Sequence, residues 1–274
     1  MRRLVVVGSV TGAPGVTTTA LALATAWPPE TDGGVRPVVV EADCSGGDLM
    51  MRFGLSSAPS LLDVAAVAGK PHPGSLLGAV AELPFGVRAV VAVPGRRPCT
   101  EAVRLLATDG GRLVLRGEES NQGTVLLDAG RLSEDVDSLL RAADEVVLVT
   151  RGGAEPLTHV SAYGIDSDAY AGRLTLGVVG PCPYPAEEIA QTLGIERVVF
   201  LPWDPRTVDV MRSPRRRALR TTGHRVPPLM AAARMLARQL ASGQAHEDEA
   251  GSSRLGGHSR RGLVRAAGDD GSES

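Results

Sequence analysis

The stretch Gly8-Ser9-Val10-Thr11-Gly12-Ala13-Pro14-Gly15-Val16-Thr17-Thr18-Thr19 places glycines and hydroxyls directly after the β-branched run Leu4-Val5-Val6-Val7. Glycines let backbone N–H groups approach an anion, and a hydroxyl opening the next helix can ligate a divalent cation beside it. That is the chemistry of a phosphate-binding loop, with Gly12, Gly15, Val16, Thr17 and Thr18 as its candidate contacts. Two departures stand out. Val16 occupies the position where such a loop carries its lysine, and Val10 replaces the first glycine of the full pattern. Pro14 also removes one backbone donor. Taken alone, the stretch fits an ordinary strand-to-helix turn equally well.

Carboxylates follow two later apolar runs. Glu41 and Asp43 follow Val38-Val39-Val40, and Asp128 follows Thr124-Val125-Leu126-Leu127. Acidic side chains beside a glycine loop can hold a divalent ion, with Thr17, Asp43 and Asp128 as the candidate ligands. Solvated strand ends or a helix cap remain open for Glu41 and Asp43, and a turn role for Asp128.

These residues need a scaffold that brings strand ends together. Further strands are predicted at Ala89–Val93, Val146–Thr150, Leu174–Val179 and Val198–Leu201. Helical patterns cover Thr17–Ala26, Leu61–Val67, Leu76–Leu83 and Glu101–Ala107. Short apolar strands alternating with helices predict an α/β domain, a doubly wound, mostly parallel sheet flanked by helices. In such sheets ligands bind at the carboxyl ends of the strands, where the glycine loop and the acids lie. This domain is expected over residues 1–242. From Gly243 to Ser274 the chain is rich in Gly, Ser, Asp, Glu and Arg, and a disordered tail is expected there.

The 274 residues are 43% hydrophobic and 22% charged, with 29 basic against 31 acidic side chains. Collagen, coiled coil and wholesale disorder are excluded. No apolar run reaches the ~18 residues of a membrane span, and the start lacks a signal-peptide core. Cys44, Cys99 and Cys182 fit neither a zinc pattern nor a disulfide framework, so reduced thiols and a cytoplasmic location are expected. Among the basic residues only Lys70 is a lysine. Chemistry that needs a lysine must use Lys70 or an arginine, and Arg52, Arg151 and Arg206 are the arginines expected near the ligand edge.

In order and spacing these fragments resemble the MinD/ParA family of deviant-Walker P-loop nucleotide-binding proteins, from about Arg3 to Met211. The family's Lys-Gly-Gly-x-Gly-Lys-Thr-Thr loop is matched by Thr11 to Thr18 with both lysines replaced. Glu41-Ala42-Asp43 with Gly46-Gly47-Asp48-Leu49, the strand ending at Asp128, and Leu201-Pro202-Trp203-Asp204-Pro205 match later segments. The resemblance implies ATP or ADP with Mg²⁺ as ligand. Gly12, Gly15 and Thr17 would lie at phosphate and metal, Asp43 would orient the attacking water, Asp128 would hold Mg²⁺ through water, and Pro202 to Asp204 would lie near the base. Val16 and Thr11 in place of lysines argue against ordinary turnover, and binding of no nucleotide at all stays open. The implied role is that of a positioning or assembly protein acting through protein contacts, a pseudo-ATPase for division machinery or, as in the TadZ/CpaE type, pilus and secretion machinery. The alternative is a working ATPase of partitioning or septum-site placement.

Arg215, Arg216, Arg217 and Arg220 form the densest basic cluster, suited to non-specific DNA or to an acidic protein partner, with a solvated surface run as the plain reading. A homodimer is a further expectation from the resemblance. Membrane contact is not expected, because Arg260–Ala266 offers only Leu263 and Val264 as large apolar residues.

Overall fold

The computed structural model describes residues 1–12, 14–70, 75–118, 120–164, 169–213 and 226–255, with side chains through 242. Among the described residues eight strands run in chain order: β1 Arg3–Ser9, β2 Val38–Glu41, β3 Ala81–Glu82, β4 Arg88–Val90, β5 Thr124–Arg131, β6 Glu145–Arg151, β7 Leu174–Val179 and β8 Arg197–Leu201. They form one sheet in the order β3-β4-β2-β5-β1-β6-β7-β8. Every pairing is parallel except the two-residue β3 against β4. The helices are α1 Val16–Ala26, α2 Leu49–Phe53, α3 Leu61–Ala66, α4 Arg96–Leu106, α5 Asp109–Arg116, α6 Asp137–Ala142, α7 Ala154–Tyr163, α8 Ala186–Leu193, α9 Pro205–Arg212 and α10 Pro228–Leu255. The doubly wound α/β architecture expected from the sequence is therefore present.

The strands are nearly all apolar because both faces of the sheet are covered. In β1, Leu4 and Val6 belong to a core shared with α3–α8, whereas Val5 and Val7 belong to a second core shared with α1, α2, α9 and α10. Period-two alternation thus splits one valine-rich strand between two cores.

Two local differences from the sequence reading have physical causes. Leu76–Leu83, expected to be helical, is a short 3-10 turn at Leu76–Ala79 followed by β3. Helix α5 lies where Gly110 and Gly111 weaken any helical pattern. Both glycines are required by packing, because a Cβ on either would overlap backbone at Ala68 or at Leu105 and Leu106.

Met1–Ala241 form one compact unit, and Ser242–Ser274 cluster separately. Arg215, Arg216, Arg217 and Arg220 lie outside the described residues, as do residues 256–274 of the expected tail. All three cysteines are free. Among the described residues no helix is long and apolar enough to cross a membrane.

Candidate functional site

The β1–α1 loop leaves the sheet at its centre, between β5 and β6. Gly15 starts α1 with φ +103°, a conformation that favours glycine, and its carbonyl accepts from Thr19 N at 2.8 Å and Thr19 Oγ1 at 3.0 Å. No side chain caps the first turn of α1. A Cβ on Gly12 or Gly15 would meet nothing within 4 Å. Open space therefore adjoins both glycines, at a helix end whose leading N–H groups favour an anion. Val16 itself is 6% exposed and joins the core shared with α1 and α10. The loop is tied inward where Ser9 Oγ accepts from Thr11 N at 3.2 Å.

The acids beside the loop have separate jobs. Glu41, 2% exposed, accepts through Oε1 from Asp48 N at 2.7 Å and Leu49 N at 2.9 Å, and through Oε2 from Ala92 N at 3.0 Å. It holds the start of α2 and the end of the β4 segment together, so the capping reading is the one the structure supports. Burial raises its pKa against the pull of those three N–H groups.

Asp128 stands in register with Glu41 across β2 and β5. A bulge follows it. Val7 pairs with Asp128 and Gly8 with Gly130, which leaves Ala129 as the extra residue. Asp128 is fully buried. Its Oδ1 accepts from Gly130 N at 3.2 Å, while Oδ2 has no hydrogen-bond partner. Burial pushes this carboxyl up to about 7; the Thr17 hydroxyl and the Gly130 N–H oppose the shift, and the Glu41 and Asp43 charges add to it.

Asp43 accepts from Ser45 N at 2.8 Å and Ser45 Oγ at 2.6 Å, both on Oδ1. Its carboxylate rests on Gly130, whose φ is +55° and where a Cβ would overlap Asp43 Oδ2 and Cγ. The structure thus brings Thr17, Asp43 and Asp128 around Gly130 and the loop, and turns Glu41 away into backbone. Among the described residues no three His, Cys, Asp or Glu side chains group as a metal site. A divalent ion here would need Thr17 and ligand oxygens besides the two aspartates. The uncapped helix start, the open glycines and the orphaned Asp128 oxygen fit a magnesium-bound phosphate group.

On the other side of the loop lies a cavity of about 170 Å³. Its lining includes Gly15, Thr18, Arg151, Pro202, Trp203 and Asp204, so the loop and the segment after β8 share one space. Gly12, Val16 and Thr17 do not line it. Asp204 is also the N-cap of α9, accepting from Thr207 N at 3.1 Å on Oδ1 and Thr207 Oγ1 at 2.7 Å on Oδ2. Burial acts to raise its pKa, but the Thr207 hydroxyl and N–H, the Leu229 N–H and the Arg206 charge outweigh burial and hold it low. Trp203 is 58% exposed, and the Arg151 guanidinium sits 5.7 Å from the centroid of its ring.

The three candidate arginines separate clearly. Arg52 pairs with Asp48 at 3.3 Å, Arg206 is exposed in the first turn of α9, and Arg151 alone of the three lines the cavity. Lys70, exposed after α3, does not line it. The expectation that Pro202 to Asp204 lie near the base covers Trp203, an indole directly beyond a strand end, without giving it a role of its own.

No family model matches the chain, and no curated protein matches its sequence. Solved structures do. The cell division ATPase MinD of Pyrococcus furiosus superposes with a TM-score of 0.64 at 21% identity, covering 88% of this chain and 98% of that one. The septum site-determining protein MinD of Pyrococcus horikoshii OT3, complexed with Mg-ADP, gives 0.63 at 19% identity, covering 94% and 98%. A ParA family ATPase from Chlorobium tepidum TLS gives 0.64 at 15% identity, covering 86% and 98%. The chain has the MinD/ParA-type P-loop NTPase fold.

Proposed function

We propose that this chain binds a nucleoside di- or triphosphate with Mg²⁺ at the β1–α1 loop and uses it as a structural ligand. It acts as a positioning or assembly protein through protein contacts. The observation that carries this reading is the contrast within one loop. The glycines are open and a buried Asp128 oxygen lacks a partner, as suits a metal–phosphate ligand, yet Val16 packs into the apolar core at the position where the phosphate-loop pattern has its lysine. Binding needs the first set. Rapid turnover needs charge on the outer phosphate that Val16 cannot supply.

Thr17 and Asp128 would hold the ion, Gly12, Gly15 and Thr18 the phosphates, and Pro202 with Asp204 the base side. Mg²⁺ would neutralise phosphate charge. Asp43 remains placed to orient a water should hydrolysis occur, and that retained carboxylate favours the second reading, a slow but genuine ATPase of partitioning or septum-site placement. Support for a positioning role comes from similarity to division and partition proteins, among them MinD in a MinC:MinD complex from Aquifex aeolicus. A pilus or secretion cargo and a homodimer belong to the same proposal, as does a DNA-binding role for the Arg215–Arg217 cluster.

Titration calorimetry with Mg·ATP, Mg·ADP and Mg·GTP, paired with a phosphate-release assay, decides between the readings. Binding without release supports a structural ligand. Release that Asp43→Asn abolishes establishes the ATPase instead. No binding by any of the three removes both.

A further inference from the structure

We infer that the base of the bound nucleotide stacks against the Trp203 indole and is not read by hydrogen bonds to its edge, so that the site takes adenine and guanine alike. This inference rests on the proposed nucleotide reading and deepens it at the base side.

The cavity beside the loop supplies the surface. Val179, Leu201, Pro202, Val208 and Leu229 give it apolar walls, and Trp203 adds the one aromatic ring among its lining residues. An indole carries a large apolar surface that proteins mostly bury, yet Trp203 is 58% exposed. The Arg151 guanidinium carbon, 5.7 Å from the ring centroid, sets a cation beside the indole and steadies its orientation. An exposed ring on a cavity wall gives a heterocycle a π-face to stack on.

Groups that would read a base edge are largely engaged within the protein. Asp204 has both carboxylate oxygens occupied by Thr207, and Thr19 Oγ1 donates to the Gly15 carbonyl. The carbonyls of Val179, Leu201 and Asp204 accept from Gly152 N at 3.2 Å, Gly180 N at 2.9 Å and Val208 N at 3.1 Å. Pro202 and Pro205 have no N–H to donate. A site built to hydrogen-bond a polar edge rejects analogues strongly, whereas stacking accepts any base because each has a π-face. Readout by a charged lining residue, Arg151, Asp209 or Arg212, is the competing arrangement, and an arginine would favour guanine through its O6 and N7.

The test uses the full chain and calorimetry with Mg·ATP, Mg·GTP, Mg·UTP and Mg·tripolyphosphate. Mg·ATP and Mg·GTP should bind within about threefold of each other, and Mg·UTP, with its smaller ring, severalfold more weakly. Trp203→Ala should weaken both purine nucleotides by about fivefold to a hundredfold, the range of one base–aromatic stack, and leave tripolyphosphate binding unchanged. Trp203→Phe should keep part of the affinity. Trp203 and the buried Trp27 are the two tryptophans, so in Trp27→Phe the emission of Trp203 should be quenched by Mg·ATP and not by Mg·tripolyphosphate. A preference for one purine of more than about twentyfold overturns this inference while the nucleotide reading stands. So does a Trp203→Ala chain that binds Mg·ATP as the unmodified chain does, or that loses tripolyphosphate as much as nucleotide. If the unmodified chain binds none of the nucleotides, the nucleotide reading itself fails and this inference falls with it. Should Trp203→Ala not fold, Trp203→Phe and the fluorescence comparison carry the same test.

Discussion

On the β2–β5 side of the β1–α1 loop, acids are buried and gripped by backbone N–H groups; on the β6–β8 side an indole and a guanidinium lie at the surface of a cavity. The first side is part of the core and cannot change without disturbing it. The second is attached to the core and can respond to what enters the cavity. The two walls differ in kind: one holds strand ends through buried hydrogen bonds, and the other presents exposed groups to a cavity.

The division predicts a gradient in stability. Glu41→Ala strands two buried donors and a part-buried one and should cost about 3–5 kcal/mol in urea unfolding, the largest effect at this edge of the sheet. A loss below about 1 kcal/mol would break the distinction between the walls.

Asp128 comes next and carries a pH signature. Its folded carboxyl, at about 7, holds a proton more tightly than the unfolded carboxyl near 3.8. The resulting stabilisation is full below the lower value and is lost as pH rises through the upper one. Stability should therefore fall between about pH 4 and 7, by about 4 kcal/mol from this group. Asp128→Asn should flatten that fall and be the more stable form at pH 8. An unchanged profile would show that the carboxyl is not kept protonated by burial.

Gly130→Ala should cost about 1–3 kcal/mol, because φ is positive there and the new methyl group overlaps Asp43. Displaced Asp43 should then lower any phosphate-release rate more than it lowers nucleotide affinity.

Crossing to the other wall, Asp204→Ala removes the cap of α9 and should cost about 1 kcal/mol. Trp203→Ala should change stability by about 0.5 kcal/mol or less, as an exposed side chain does. A large stability loss there would mean that Trp203 belongs to the core and would erase the contrast.

Much of the scaffold was legible because short β-branched runs such as Val38-Val39-Val40 favour strands buried on both faces of a sheet. The two-residue β3 was not, being too short to leave a periodicity. Helix α5 was hidden by glycines whose purpose is contact with Ala68 and the end of α4, a fact about neighbours and not about the segment itself. In the site, the glycine loop and the acids could be placed by their position after strands. Glu41 could not be assigned among its alternatives, since its donors at Asp48, Leu49 and Ala92 come together only in the fold. The Arg151–Trp203 contact was equally invisible, because it joins the ends of β6 and β8 across the end of β7.

The place of β1 has a consequence for the birth of the protein. It is made well before its hydrogen-bonded neighbours β5 and β6, at residues 124–131 and 145–151. A chain emerging from the ribosome must carry Leu4-Val5-Val6-Val7 without either neighbour until β5 has been synthesised. Truncation before residue 124 leaves that apolar strand with two bare edges, a template for aggregation. The β1–α1 loop is made before Asp128, Arg151 and Trp203, the later residues that end up around it.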